Sequence, residues 1–561
     1  MNSRNFWIFA IFLVLFLAWS HFSSAPAPEP SLENSPAPPA PPAPPAAAPE
    51  PAAVAPPAPA AAPAAREVPT GLVTVETPKF TAVIAERGGR LASFQLKGYK
   101  KRKPDQNLPD QRMELVAQPK PSDRPLRLTL EAPGAPALEE APFLADKKSL
   151  SLAAGETGQL NLTYDNGAGL TVVKTLTFSA DTFLVRQEVA LASAAGAAWE
   201  GRLVHRLNSA PFQGAKGGRY DEMGAVINGG LLTAPAKNAQ ADLEKKKGLP
   251  VSWLGYMDQY FLTALIPDRE AAEPAFRAVL QDHGGLALAE SLPLSLAPGG
   301  RAVFNFDFYY GPKAKADLLA AGHDLELSVD MGWFSFLAAP LAALLRFIYG
   351  WVGNYGAAII IVTVLIKIAL WPLTAKSYKS MKAMQSLQPK VARIREKYAD
   401  DREALNREIM RLYKTFKVNP LGGCLPMVLQ IPFFIAFYRV LDSLLELRGA
   451  PFILWIKDLA APERLGSLDF TIPFFEPPTG LPVLTLLMGL SMFIQQKMTP
   501  NTMGDPIQAK IMMLMPLFFT IVLINMPAGL VLYWLVNNLL SIGQQTLINR
   551  PGRRTAEAAA P

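Results

Sequence analysis

The chain is poor in the residues from which metal centres and cross-links are made. Its 561 residues include one cysteine and four histidines. A single Cys424 excludes an intramolecular disulfide, so any exported domain is held by its core alone. The histidines and the cysteine show no metal-ligand spacing, and no metal or cofactor is expected. No clustered acid–base pair marks catalysis, and no internal repeat relates the two halves of the chain. The net charge is +7, yet no compact basic domain with base-stacking motifs accompanies it, so direct DNA binding is not expected. Cys424 ends "LGGC", which superficially resembles a lipoprotein cleavage box. It lies far from the N-terminus and follows no signal peptide, so the cysteine reads as a small apolar residue.

The chain does hold strong shifts of composition. Residues 1–24 carry Arg4 ahead of an apolar stretch from Phe6 to Trp19. Two readings stand: a cleaved signal peptide with "SSA" at 23–25, or an uncleaved anchor. The bulky "FLAWSHFSS" favours the anchor, with the N-terminus in the cytoplasm. Residues 25–66 are almost all Ala and Pro, a tract that builds no core and reads as an extended linker.

From 67 to 328 apolar and polar residues alternate in short runs. "LVTVETPKFTAVIAERGGRLASFQL" turns at Gly88-Gly89, and "LTVVKTLTFSADTFLVRQEVAL" repeats the pattern. Many short strands at this spacing predict a large β-sandwich domain. Asp258 and Asp282 are read as surface carboxylates.

The pattern changes at Met331. Residues 329–354 include "GWFSFLAAPLAALLRFIYGWVG", amphipathic, with Arg346 as the one charge and Trp333, Tyr349 and Trp351 suited to a membrane interface. Residues 355–373 form an apolar run long enough to span a bilayer, with Lys367 as its only charge. At about 1.5 Å per residue, Lys367 sits roughly 18 Å from Tyr355 and roughly 13 Å from Lys376. That places it inside the hydrocarbon, where charge is costly and usually has a role. Further apolar segments lie within 420–550, at roughly 424–445, 481–497, 510–526 and 528–547. With the N-terminal anchor they predict six transmembrane helices.

Loop charge sets the orientation. Residues 374–419 hold twelve Lys/Arg against five Asp/Glu, a balance of +7; residues 446–480 hold three against five, a balance of −2. Cationic loops face the cytoplasm. The 374–419 segment and the short 551–561 tail are therefore inside, and the β-domain is outside. The basic segment is itself patterned. Met381, Met384, Leu387, Val391, Ile394 and Tyr398 step by three or four, with Pro389 as a kink. "ADDRE" makes a turn with Asp400 and Glu403 resembling a capping box. Leu405, Ile409, Leu412 and Phe416 mark a second helix. The segment reads as a helical hairpin, apolar inside and basic outside. Met381 and Met384 suit adaptable contacts with varied partners, and Lys390 and Arg393 lie among its cations.

Three long stretches are similar to the YidC family of membrane protein insertases: "WPLTAKSYKSMKAMQSLQPKV", "VNPLGGCLPMVLQIPFFIAFYRVL" and "PAGLVLYWLVNNLLSIGQQ". The resemblance runs from about Val329 to Asn549, and extends more weakly into the β-domain through "WLGYMDQYFLTALIP" and "YYGPK". It implies a multi-domain membrane protein of the bacterial inner membrane, with an α-helical bundle built on a five-helix insertase core and a periplasmic all-β supersandwich. It also implies a hydrophilic groove, open to the cytoplasm and to lipid, with a positive charge on the first core span. Lys367 stands at that position, where most bacterial members have arginine. Lysine keeps the charge but lacks the bidentate fork.

From the residues alone, Thr363 lies on the same helix face as Lys367. Gln430, Gln495, Tyr533, Trp534 and Asn537 are polar-capable groups on other spans. Two readings stay open for them: a wet pocket around the ammonium, or interhelical hydrogen bonds as in many membrane bundles. For Lys367 itself the bland alternative is snorkelling. An insertase reading implies no enzymatic activity, and nascent membrane protein clients, the ribosome, the Sec translocon and the lipid bilayer as partners. The rivals are a secondary transporter or channel using Lys367 as an ion or substrate site, and a sugar-processing or binding role for the β-domain.

Overall fold

The computed structural model describes residues 71–549 except 102–110, 117, 119, 195, 197, 213–220, 269–272, 283, 399–400, 419–424, 467–479 and 499–505. The expected anchor, the Ala/Pro linker, Asp400, Cys424 and the 551–561 tail lie outside the described residues.

Alternation of apolar and polar side chains becomes β-structure between Leu72 and Pro312. Eighteen described strands form sheets of five, nine and four strands. In the nine-stranded sheet Leu184–Ser193 lies between Leu170–Ser179 and Arg301–Pro312, with Val185 opposite both Phe178 and Phe308. The period-2 pattern is explicit in Leu170–Ser179, where every second residue is buried. Apolar inner faces meet in a core that includes Phe80, Phe94, Phe178 and Tyr310. Polar groups are buried there too. Lys174 is fully buried and donates to the carbonyls of Gly88 (2.8 Å), Gly89 and Leu126 (both 3.3 Å). It thereby pins the turn before Arg90–Lys100 and the loop before Arg127–Glu131 to the large sheet. His205 and Glu290 are cross-strand partners in the four-stranded sheet, both fully buried.

Asp258 is not the surface carboxylate expected from the sequence. It is 3% exposed and accepts from the amides of Tyr260 and Phe261, each at 2.7 Å. Its carboxylate closes the tight turn between strands Val251–Met257 and Phe261–Ile266, satisfying donors that the turn would otherwise orphan. Asp282 is exposed as expected.

Two short helices, α1 (Ala239–Glu244) and α2 (Lys315–Ala321), belong to the β-rich region. Helices α3 (Ser335–Val352) and α4 (Tyr355–Ser386) follow. Gly353, at φ +64°, ends α3, and its amide donates to the Tyr349 carbonyl at 2.8 Å. Asn354 then caps α4 by accepting from Ala357 at 3.0 Å. The lysine-bearing helix does not stop at the expected edge of the span near Leu373. It continues for 32 residues through Pro372, about 48 Å at 1.5 Å per residue, well beyond a hydrocarbon core of roughly 30 Å.

The basic hairpin is α5 (Gln388–Lys397) and α6 (Arg402–Thr415), with Pro389 in the first turn of α5. The cap of α6 is Asp401, which accepts from the amides of Glu403 and Ala404, rather than Asp400. Helices α7 (Leu425–Ser443), α8 (Val483–Met498), α9 (Pro506–Leu523) and α10 (Ala528–Asn549) complete the described bundle. Helix α10 packs against both α4 and α8, and α8 against α9. Gly489 lets α8 and α9 approach closely: a Cβ there would lie 2.1 Å from the Thr520 hydroxyl. By length and composition, two described helical segments suffice to cross a membrane, Gly332–Val352 and Tyr355–Ser386; Val483–Met498 and Met513–Leu523 are shorter apolar helices. The first of these was expected on the membrane surface, and its length and composition also suit a span.

Candidate functional site: a polar pocket around an intramembrane lysine

Lys367 is half-buried on α4. Its ammonium donates to the Ser541 hydroxyl of α10 at 2.7 Å. The Ser541 hydroxyl in turn donates to the Asn537 carbonyl one turn earlier, also at 2.7 Å. The pocket around the ammonium is lined by Thr363, Ile366, Leu370 and Thr374 of α4, Gln430 and Phe433 of α7, and Tyr533 and Asn537 of α10. Three helices far apart in sequence thus bring polar groups to one place. None of the lining residues is acidic. The cavity is about 10 Å³, room for about one water.

Of the predicted residues, Lys367, Thr363, Gln430, Tyr533 and Asn537 meet here. Thr363 donates to the carbonyl of Ile359 on its own helix at 2.6 Å, so it presents only oxygen lone pairs to the pocket. Tyr533 is buried and stacked on Phe437, ring centroids 4.5 Å apart. Gln495 and Trp534 are not brought to this pocket. Gln495 is on α8, and Trp534 packs edge-on to Phe434 at 4.8 Å and near Phe519 at 5.7 Å. A one-residue step on α10 decides such cases. Asn537 lines the lysine pocket, while Asn538 turns about 100° further round and donates to Ser491 of α8 at 3.0 Å.

Sequence reasoning missed Ser541, Thr374 and Gln544. The Gln544 amide donates to the Thr374 hydroxyl at 2.7 Å, both side chains buried. The signal was present: Tyr533, Asn537 and Ser541 step by four on α10, and Gln544 follows by three, one continuous stripe.

At the other end of the bundle, residues 459–464 of the loop after α7 tie down the start of α10. Carbonyls of Ala461 and Leu459 accept from the first amides of α10, Ala528 and Gly529, each at 2.8 Å. Buried Arg464 donates to the Ile524 carbonyl at 2.8 Å and to the Asn525 side chain at 3.0 Å. The β-rich region also reaches this end. Gln259 donates to the Asp442 carbonyl and, at 3.1 Å, to its carboxylate. The Arg448 guanidinium lies 5.0 Å from the Phe261 ring centre.

In the hairpin, Met384 forms an apolar core with Leu387, Val391 and Tyr413, against which Ile409, Leu412 and Val418 pack. Met381 is also buried. Met384 therefore fills the hairpin interior, and neither methionine is exposed as the adaptable contact face expected of it. Burial of their thioethers follows from the same three-and-four spacing that makes the hairpin. The accessible groups are Lys390 and Arg393, with Lys390 4.0 Å above the exposed Phe416 ring. Among the described residues, no group of three or more His, Cys, Asp or Glu converges as a metal site would.

Comparison with known proteins agrees with this layout. The 60Kd inner membrane protein family model matches residues 347–555, and the YidC periplasmic domain model matches 72–344. The Membrane protein insertase YidC of Pelobacter propionicus is 41% identical over 482 residues, covering 85% of this chain and 86% of the relative. That of Oleidesulfovibrio alaskensis is 39% identical over 555 residues, covering 96% and 98%. A crystal structure of an active YidC insertase with its first transmembrane domain resolved is similar at 16% identity and a TM-score of 0.36, over 86% of this chain and 95% of that one. By sequence, the chain belongs to the YidC family of membrane protein insertases.

Proposed function

We propose that this inner-membrane insertase accepts its clients at the Lys367 pocket. Membrane proteins are its clients and the bilayer its medium; it moves segments between phases without making or breaking a bond, and is not an enzyme. A client's exported tail must cross hydrocarbon, where each unsatisfied polar group costs several kcal/mol. A polar recess partway across shortens that path, and a fixed cation attracts acidic residues on the way. The observation that carries this reading is the convergence of Lys367, Ser541, Gln430 and Asn537 from three helices. A snorkelling lysine would reach for the interface; this ammonium points to a neighbouring helix.

In this reading the spans are the N-terminal 1–24 segment and helices α4, α7, α8, α9 and α10, six in all, with α3 on the membrane surface. The hairpin and both termini are cytoplasmic. The hairpin's cations receive clients or ribosomes, and the chain works alone or beside the Sec translocon. A transporter or channel would use the same lysine as a substrate site, and the absence of acidic lining residues among those described gives its ammonium no fixed counter-charge to exchange. The test is in-vitro insertion of matched clients that differ only in tail charge. Lys367→Ala is expected to impair acidic tails and to spare neutral ones. Equal insertion of both tails at wild-type level would reduce the lysine to a topology anchor.

A further inference from the structure

Helix α4 carries a proline shortly after Lys367. Pro372 has no amide to offer the Ile368 carbonyl, and its ring crowds that carbonyl, so a helix bends most easily at such a point. The break divides α4 into a half that holds Lys367 and a half, 373–386, that leads to the hairpin. Met384, on the second half, is built into the hairpin core with Leu387, Val391 and Tyr413, so that half and the hairpin move as one body. Helix α10 touches α4 on both sides of the break. Before it, the Ser541 hydroxyl accepts from Lys367 at 2.7 Å. After it, the Gln544 amide donates to the Thr374 hydroxyl, also at 2.7 Å. Residues 541 and 544 lie one turn apart on one face of α10. Thr374 spends its own proton on the carbonyls of Leu370 at 3.0 Å and Trp371 at 3.1 Å, which leaves its lone pairs to Gln544. Thr374 and Gln544 are both buried. Helix α10 is itself anchored to α8, through Asn538 on Ser491 at 3.0 Å and Gln545 on the Met498 carbonyl at 2.7 Å.

We propose that Gln544 is a positioning residue: together with Ser541 it splints α4 across Pro372 and so fixes where the hairpin stands relative to Lys367. Two contacts that straddle a weak point resist bending, where two on the same side of it would not. Without the Gln544 bond, α10 still holds the Lys367 half of α4 through Ser541, while the half beyond Pro372 is free to swing with the hairpin attached. The hairpin's placement over the lysine pocket is then set by one buried amide, and a force on the hairpin is felt at that bond first. The test reads geometry alone, so it stands or falls separately from whether Lys367 receives clients.

The experiment is pulsed electron paramagnetic resonance on the full chain in nanodiscs, with Cys424→Ser removing the one native thiol. Spin labels go on exposed positions: Asn406→Cys of the hairpin or Leu365→Cys of α4 before the break, each paired with Leu487→Cys of α8. Gln544→Met keeps the side-chain length and removes the donor. It is expected to raise the population of displaced hairpin positions in the 406–487 distances about threefold, the worth of an average side-chain hydrogen bond in a membrane, and to leave the 365–487 distances unchanged. Thr374→Val is expected to do the same, and the two together no more than either alone. Pro372→Ala restores the missing amide, and adding it to Gln544→Met is expected to return the 406–487 distances to those of the wild type. Unchanged 406–487 distances in Gln544→Met overturn the proposal. Broadening that persists with Pro372→Ala also overturns it, because Gln544 then only packs one helix on another. So does equal broadening of the 365–487 pair, which marks a general loosening of the bundle.

Discussion

Lys367 on α4 and Ser541 on α10 are 174 residues apart in sequence and 2.7 Å apart in space. A lysine ammonium has three donors and no acceptor, so a hydroxyl oxygen serves it well. The same hydroxyl donates its own hydrogen bond to the Asn537 carbonyl, which leaves its lone pairs facing the cation. This arrangement separates charge from position, and the two can be tested apart.

Ser541→Ala removes the acceptor and keeps the charge. Insertion of acidic-tailed clients is expected to fall less than with Lys367→Ala, within a few-fold of wild type, because interhelical hydrogen bonds in membranes average only about 0.6 kcal/mol. Lys367→Arg is expected to retain activity, since an attraction for mobile acidic segments needs charge more than shape. Lys367→Glu is expected to be the worst change. Quantitative insertion of a charge-matched client series orders the four variants; a Ser541→Ala defect equal to that of Lys367→Glu contradicts the charge argument.

The hairpin separates a packing residue from contact residues. Met384→Ala empties part of its core and is expected to cost about 2–5 kcal/mol, seen as rapid protease cleavage between 388 and 415. Lys390→Glu with Arg393→Glu touches exposed side chains, so protease resistance is expected to stay while ribosome co-sedimentation drops and becomes less salt-sensitive. Unchanged co-sedimentation places the ribosome contact elsewhere.

Glu290 makes the β-domain sensitive to pH. Both carboxyl oxygens are buried without a hydrogen-bond partner. Burial, with Asp268 adding, pushes its pKa from 4.5 up to about 8. The folded state therefore holds a proton that the unfolded chain gives up above pH 4.5. Stability is full below pH 4.5 and falls as pH rises towards 8, by on the order of 3 kcal/mol at neutral pH. Glu290→Gln has no proton to lose and is expected to flatten this dependence. Hydrogen exchange of the 286–296 amides at pH 5 and pH 7.5, corrected for intrinsic rates, measures it; identical pH slopes in both proteins would rule the effect out.

Removing residues 70–310 is expected to preserve rescue of a depletion strain, because every described residue that lines the Lys367 pocket lies after Met331. The deletion also removes Gln259 and its bonds to Asp442 at the end of α7. Asp442→Asn in the intact chain keeps an acceptor for Gln259 and is expected to behave as wild type. Loss of rescue by a stably expressed deletion would tie the β-domain to insertion.

Local chemistry carried much of the architecture into the sequence. Period-2 alternation announced the β-domain, three-and-four spacing announced the hairpin, and one lysine in an apolar run marked the site, because each depends only on near neighbours along the chain. The identity of Lys367's partner did not follow from such patterns. Ser541, the direction of Asn537 against Asn538, and the exclusion of Gln495 and Trp534 from the pocket depend on how far each helix is rotated about its own axis. That rotation is set by packing across the bundle, and one residue turns a side chain by about 100°. Likewise, the spacing of Met381 and Met384 identified a helix face but not what covered it. The residues that cover Met384, Val391 and Tyr413 among them, come from α5 and α6, and only the folded chain brings them there.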